Sequence, residues 1–271
     1  MHKMLKEIQE LNEYFKKNFP SSLEECENTF KKSKSGGFIG YIPHFMVEYI
    51  PKNKSEVDFF KMFNEMVLLL KKSKIQQAEQ IINNFFDNKI KFTFQKNSYK
   101  GRMISFGIII SNNVNNEKLF LKVFKSKYKE QPFAYRHGPY IESVVALFIN
   151  SNLQDYNHFA KMYFANVNEL YILSEYVESC INYEDDNKKI DLSKIEDYNE
   201  KSEIYTKFLE KYTGEYFNHY QAIKSIKGGC FRFLDFKSDN FIIWEDSLKN
   251  KYAKMVDYGF IISYKPEFKT L

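Results

Sequence analysis

Glycine and proline are scarce in this chain, 10 and 6 in 271 residues. That excludes a collagen-like or linker-rich protein. Cysteine is scarcer still. Cys26, Cys180 and Cys230 are odd in number and far apart, with no CxxC pair and no zinc-ligand spacing. They read as buried, reduced thiols in a reducing compartment. No apolar run approaches the ~18 residues that a membrane span needs. The opening MHKMLKEIQELNEYFKK is charged and amphipathic and has no signal-peptide core. A strong charge of one sign is also missing. The 40 basic and 35 acidic side chains leave +5, with the two signs interleaved nearly everywhere. A nucleic-acid binder would carry a basic stripe instead. The expectation is a soluble protein, cytoplasmic or secreted by a specialised machine, with no membrane span and no nucleic-acid partner. His44, His137, His158 and His219 lack metal-ligand spacing and read as structural or surface residues.

Aromatic residues are plentiful, with 27 Phe and 20 Tyr, and 44% of the chain is apolar. A chain of this length can bury a core without disulfides or structural metals. The first 88 residues read as mainly helical. Leu5, Ile8, Leu11 and Phe15 recur at helical steps, and a second helix opens at Ser21-Ser22. A third covers 56–71, with Phe59, Met62, Phe63, Met66 and Leu70 in its stripe, and a fourth covers 76–86. The glycine-rich run SGGFIG at 35–40 reads as a turn within this region. The period then changes. Ile90, Phe92 and Phe94 alternate as a strand does, and runs at 103–110 and 119–124 follow after polar turns. A helix opens at Gly138-Pro139. Two strands come next, near 158–164 and 170–176. A polar, acidic loop leads to one long helix over 202–226, ended by Gly228-Gly229. Short strands near 231–244 and 252–256 close the chain. The fold class is α+β.

Four stretches carry chemistry. FLDFKSDNFII at 233–243 has an Asp, Asp235, with an Asn five positions on, Asn240, and Lys237 between them. MVDYGF at 255–260 places Asp257 before Tyr258 and Gly259. LFLKVFK at 119–125 sets Lys122 in an apolar strand, and YIESVVALF at 140–148 sets Glu142 near the start of a helix. Each alone is weak. Lys122 could be a surface lysine, Glu142 a first-turn acid favoured by the helix dipole, and Asp257 a turn residue.

Taken in order, they resemble the protein kinases. The first stretch looks like the catalytic loop and the second like the metal-binding Asp-Phe-Gly motif. The third and fourth look like the strand lysine and the helix glutamate that pairs with it. The resemblance covers residues 89–271. It implies a bilobal protein-kinase-like fold, with an antiparallel N-lobe sheet over 89–177 and a reduced helical C-lobe over 178–271. Residues 1–88 would then be an N-terminal helical extension, which packs on the kinase lobe, binds a partner or substrate, or holds a targeting signal. The implied cofactors are ATP and Mg²⁺. Lys122 would contact the phosphates and Glu142 orient it; backbone groups from Glu175 to Val177 would bind adenine. Asn240 and Asp257 would hold the metal. Asp235 would take the proton of a substrate hydroxyl, and Lys237 would neutralise the transferring group.

Departures qualify the resemblance. Phe233-Leu234 stands where kinases carry His-Arg, and the turn between the first two strands has only Gly101 and Gly107 nearby. Only 14 residues follow Asp257 in the sequence, so neither a full activation segment nor a substrate subdomain is expected there. This is similar to compact effector kinases injected by bacterial secretion systems, the NleH- and OspG-like group. It implies a protein substrate, with Ser or Thr as acceptor. It also implies either constitutive activity or an activating protein partner that props the Glu142 helix. A pseudokinase or binding module is the main alternative, on account of the missing glycines and subdomain. A small-molecule phosphotransferase on the same fold is the other, although Lys237 argues against it.

Overall fold

The computed structural model describes residues 38–97, 104–115, 117–125, 142–143, 146, 150, 155–166, 168–180, 203–204, 207–208, 224–225, 232–233 and 240–258. The class is α+β, built on an antiparallel sheet. Two compact units divide the chain, one of residues 21–147 and 161–176, the other of 1–20, 148–160 and 177–271. No described helix is long and apolar enough to cross a membrane.

The first unit holds a six-stranded sheet. Its strands are β1 (Phe38–Gly40), β2 (Phe92–Asn97), β3 (Ile104–Asn112), β4 (Lys118–Phe124), β5 (Met162–Asn166) and β6 (Tyr171–Glu175), in the order β1-β5-β6-β4-β3-β2. Three helices precede β2: a short α1 (His44–Val47), then α2 (Glu56–Lys71) and α3 (Ile75–Phe85). α2 starts where it does because Ser55 caps it. The Ser55 hydroxyl accepts from the Asp58 N–H at 3.2 Å, and the Asp58 carboxylate accepts from the Ser55 N–H at 2.9 Å. Its buried stripe runs through Phe59, Met62, Phe63, Met66, Val67 and Leu70.

That stripe covers one face of the sheet. Leu119, Leu121 and Val123 of β4, Ile108 and Ile110 of β3, and Tyr171 and Leu173 of β6 share a core with α2 and α3. Phe63 meets the Phe164 ring edge-on at 4.9 Å between centroids. Helix α3 also closes the β2 edge of the sheet. The Asn83 side chain accepts from the Phe92 N–H at 2.7 Å and donates to the Phe92 carbonyl at 3.2 Å, while Glu79 accepts from the Phe94 N–H at 2.7 Å. An exposed edge would otherwise offer these groups to another strand.

Three expectations change here. The run at 35–40 is not simply a turn, because Phe38–Gly40 forms edge strand β1 against β5. Gly40 has φ +110°, and a Cβ there would collide with the Tyr163 carbonyl. The long helix expected over 202–226 does not run to its end. Residues 203, 204, 207 and 208 are helical, but Lys224–Ser225 is strand β7, paired with β8 (Arg232–Phe233). Cys180 is exposed rather than buried, and Cys26 and Cys230 lie outside the described residues.

The second unit centres on the hairpin of β9 (Phe241–Glu245) and β10 (Lys251–Met255). Phe208 is fully buried and packs on Phe241 at 4.9 Å and Phe159 at 5.6 Å. Asp246 builds the hairpin turn, accepting from the N–H groups of Leu248 and Asn250 and from the Asn250 side chain. Chiefly that Asn250 side-chain bond holds its carboxyl below the ordinary value of 3.8. A depressed folded-state value contributes stability above the unfolded value, and that contribution is lost as the pH falls through the folded one. Hydrogen-exchange protection of the 246–250 amides is therefore expected to fall as the pH drops below 3.8. In Asp246→Asn that acid step should be missing.

Candidate functional site

Lys122 lies on the sheet face opposite α2 and α3. Strand alternation decides this: Leu119, Leu121 and Val123 enter the core with the helices, so Lys122 points the other way. It is 5% exposed there. Its ammonium donates to Glu142 Oε1 at 2.5 Å, and Glu142 is 4% exposed. Glu142 and Ser143 are helical, so the acid comes from a helical segment on the Lys122 face. Both partners belong to the first unit.

One neighbour, Gly107, shapes this position, and the sequence reading took it only as a glycine near the first turn. Gly107 pairs with Lys122 in the β3–β4 register. Directly opposed residues share a sheet face, so Gly107 flanks the lysine without a side chain. A Cβ there would come within 2.7 Å of the Phe120 ring. The signal was available: a glycine in the middle of a β-rich run marks close approach by a neighbour.

β6 lies beside β4, with Lys122 opposite Ile172 and Leu119 opposite Glu175. The end of β6 is thus three residues along from Lys122, roughly 10 Å at the strand rise. The Glu175 N–H donates to the Lys161 carbonyl at 2.8 Å, and the Tyr176 N–H to the Lys118 carbonyl at 3.0 Å. The Glu175 carboxylate accepts from the Lys161 N–H at 2.8 Å. Both N–H groups therefore belong to the sheet.

In the second unit, the β9–β10 hairpin brings two sequence-distant residues together. Asn240 precedes β9 and Asp257 follows β10. The register Phe241↔Met255 continues one step outward, where the Val256 N–H donates to the Asn240 carbonyl at 2.9 Å. Asn240 is buried, and Asp257 is half-buried at the same hairpin end. Tyr258 is anchored: its hydroxyl donates to the Ala160 carbonyl at 2.7 Å. The chain at 158–160 flanks this end, with His158 and Ala160 bonding the two backbone groups of Met255. An amide oxygen and a carboxylate are hard donors of the kind Mg²⁺ takes. Asp235 and Lys237 lie outside the described residues.

A buried lysine also went unremarked in the sequence. Lys254 is 4% exposed, with its ammonium 4.0 Å from the centre of the Trp244 ring. The Trp244 indole N–H in turn donates to the Asn157 carbonyl at 2.7 Å. The ring face supplies the electron density that a desolvated ammonium needs.

No model of a known protein family matches the chain, and no curated protein matches it either.

Proposed function

We propose that the protein is an ATP-dependent protein kinase on a bilobal protein-kinase-like fold, with serine or threonine as the acceptor. The observation that carries this reading is the buried Lys122–Glu142 pair. Taking both charges out of water costs several kcal/mol per ion, and a packed apolar pair would often be as stable or more so. An ion pair at such a place is explained by a need for a fixed cation. Asn240 and Asp257, set at one hairpin end, add oxygen donors of the right chemistry for a divalent metal.

ATP supplies the phosphoryl group, and Mg²⁺ spreads its charge. Lys122, oriented by Glu142, contacts the phosphates. The backbone at Val177 receives the base. Asn240 and Asp257 hold the metal. Asp235 orients the acceptor hydroxyl and takes its proton, while Lys237 neutralises charge on the group in transit. Phosphoryl transfer asks mainly for positioning and electrostatic stabilisation, so few groups suffice. An activating protein that braces the Glu142 helix would raise the rate by fixing Lys122.

Calorimetric titration with ATP tests the binding half of this reading. The wild type is expected to bind ATP more tightly with Mg²⁺ than without it. Lys122→Met should weaken binding at least tenfold in both conditions. Asp257→Asn should keep the metal-free affinity and lose the Mg²⁺ enhancement. No heat and no thermal stabilisation at millimolar Mg²⁺-ATP would overturn the reading, since a bound ligand must stabilise the folded state.

A further inference from the structure

A cavity of about 580 Å³ is lined by described residues of the second unit alone, Glu203, Ile204 and Lys207 on one side and the β9–β10 hairpin on the other. Its volume is in the range of small-ligand sites, roughly 300–1,000 Å³. The wall has two chemical zones. Lys207, Lys249 and Lys251 supply cations from two separate elements; Glu203 is the one acid among the described lining residues, and Glu245, Asp155 and Asp246 stand behind them, bonded to Lys249, His158 and Tyr252. His158, Ile204 and Tyr252 supply an aromatic and apolar floor.

The floor is fixed. The His158 Nδ1 atom is 3.1 Å from both Asp155 carboxylate oxygens, and its ring packs between Tyr252 at 5.3 Å and Phe208 at 5.8 Å. The Tyr252 hydroxyl donates to Asp246 at 3.3 Å. The rim carries a conformational cost. Lys249 has φ +67°, a left-handed conformation that glycine or asparagine enters more easily. A long cation is kept at that point nonetheless. Its ammonium bonds Glu245 at 2.8 Å, but that side chain is 82% exposed. An exposed pair of this kind is weak enough for a stronger anion to displace.

We infer that this cavity binds a small anion carrying more than one phosphoryl group. One phosphate would fill a small part of the volume, and three lysines on two elements suit charges that are spread out. The inference concerns residues apart from Lys122, Glu142, Asn240 and Asp257, and it does not rest on the kinase reading.

Titration of the full chain with inorganic tripolyphosphate, at fixed ionic strength, tests it. Binding is expected to exceed that of inorganic monophosphate and of sulfate at least tenfold. Lys207→Glu with Lys251→Glu should weaken it at least tenfold. Tripolyphosphate binding no tighter than sulfate would overturn the inference. So would full affinity in the folded double variant. Should the double variant fail to fold, lysine acetylation of the wild type read by mass spectrometry decides. Tripolyphosphate should protect Lys207, Lys249 and Lys251, and unchanged labelling of all three would contradict the site.

Discussion

A chain lacking residues 1–88 is expected to be insoluble, and Phe63→Ala in the full chain is expected to cost about 3–5 kcal/mol. The deletion removes α2 and α3 and strips the layer from Leu119, Leu121, Val123, Tyr171 and Leu173. It also unseals the β2 edge that Asn83 and Glu79 close. Phe63 is fully buried and touches the rings of Phe59, Phe164 and Tyr171, so its truncation leaves a cavity that several elements share. Denaturant unfolding of the variant and the solubility of the fragment check this. A soluble 89–271 fragment that unfolds cooperatively at the wild-type midpoint would show that α2 and α3 are dispensable.

That result bears on what the sequence made legible. α2 could be read from its apolar stripe alone, and the Ser55–Asp58 cap at its N-terminus, which the reading did not use, agrees with it. Its periodicity also announced a buried face, but not what would cover it. Whether an amphipathic helix packs on a sheet or on a partner is a long-range matter, and the stripe looks the same in both cases. β1 and β7 were missed for a related reason. Phe38–Gly40 and Lys224–Ser225 are too short to show a period of two, and they are strands only because β5 and β8 accept their hydrogen bonds. Lys122 was legible because it interrupts an apolar strand. Lys254 obeys the same physics, but Lys251 and Lys254 in KYAKM give no alternation that marks one lysine as buried.

The second large effect concerns the buried ion pair. Lys122→Met and Glu142→Leu are each expected to destabilise the protein by about 3–5 kcal/mol, since each leaves one partner of a buried pair uncompensated. The double replacement Lys122→Met with Glu142→Leu is expected to recover most of that loss, because neither charge remains to be desolvated. Nucleotide binding should stay lost in all three. A double variant as unstable as the singles would make the pair a structural element in its own right. A double variant that still binds ATP would separate Lys122 from the nucleotide. The stability cycle and the binding measurement therefore read different properties of the same two residues.

The most direct measurement is transfer of the γ-phosphate. The full chain is incubated with γ-labelled ATP, Mg²⁺ and a protein lysate, beside Asp235→Ala, Asp257→Ala and the Lys122→Met, Glu142→Leu double variant. The account predicts label on serine or threonine, in the chain itself or in lysate proteins, with the wild type and with none of the variants. Nucleotide binding without any transfer would contradict the kinase reading and leave a binding module. Equal transfer by Asp257→Ala would contradict the site.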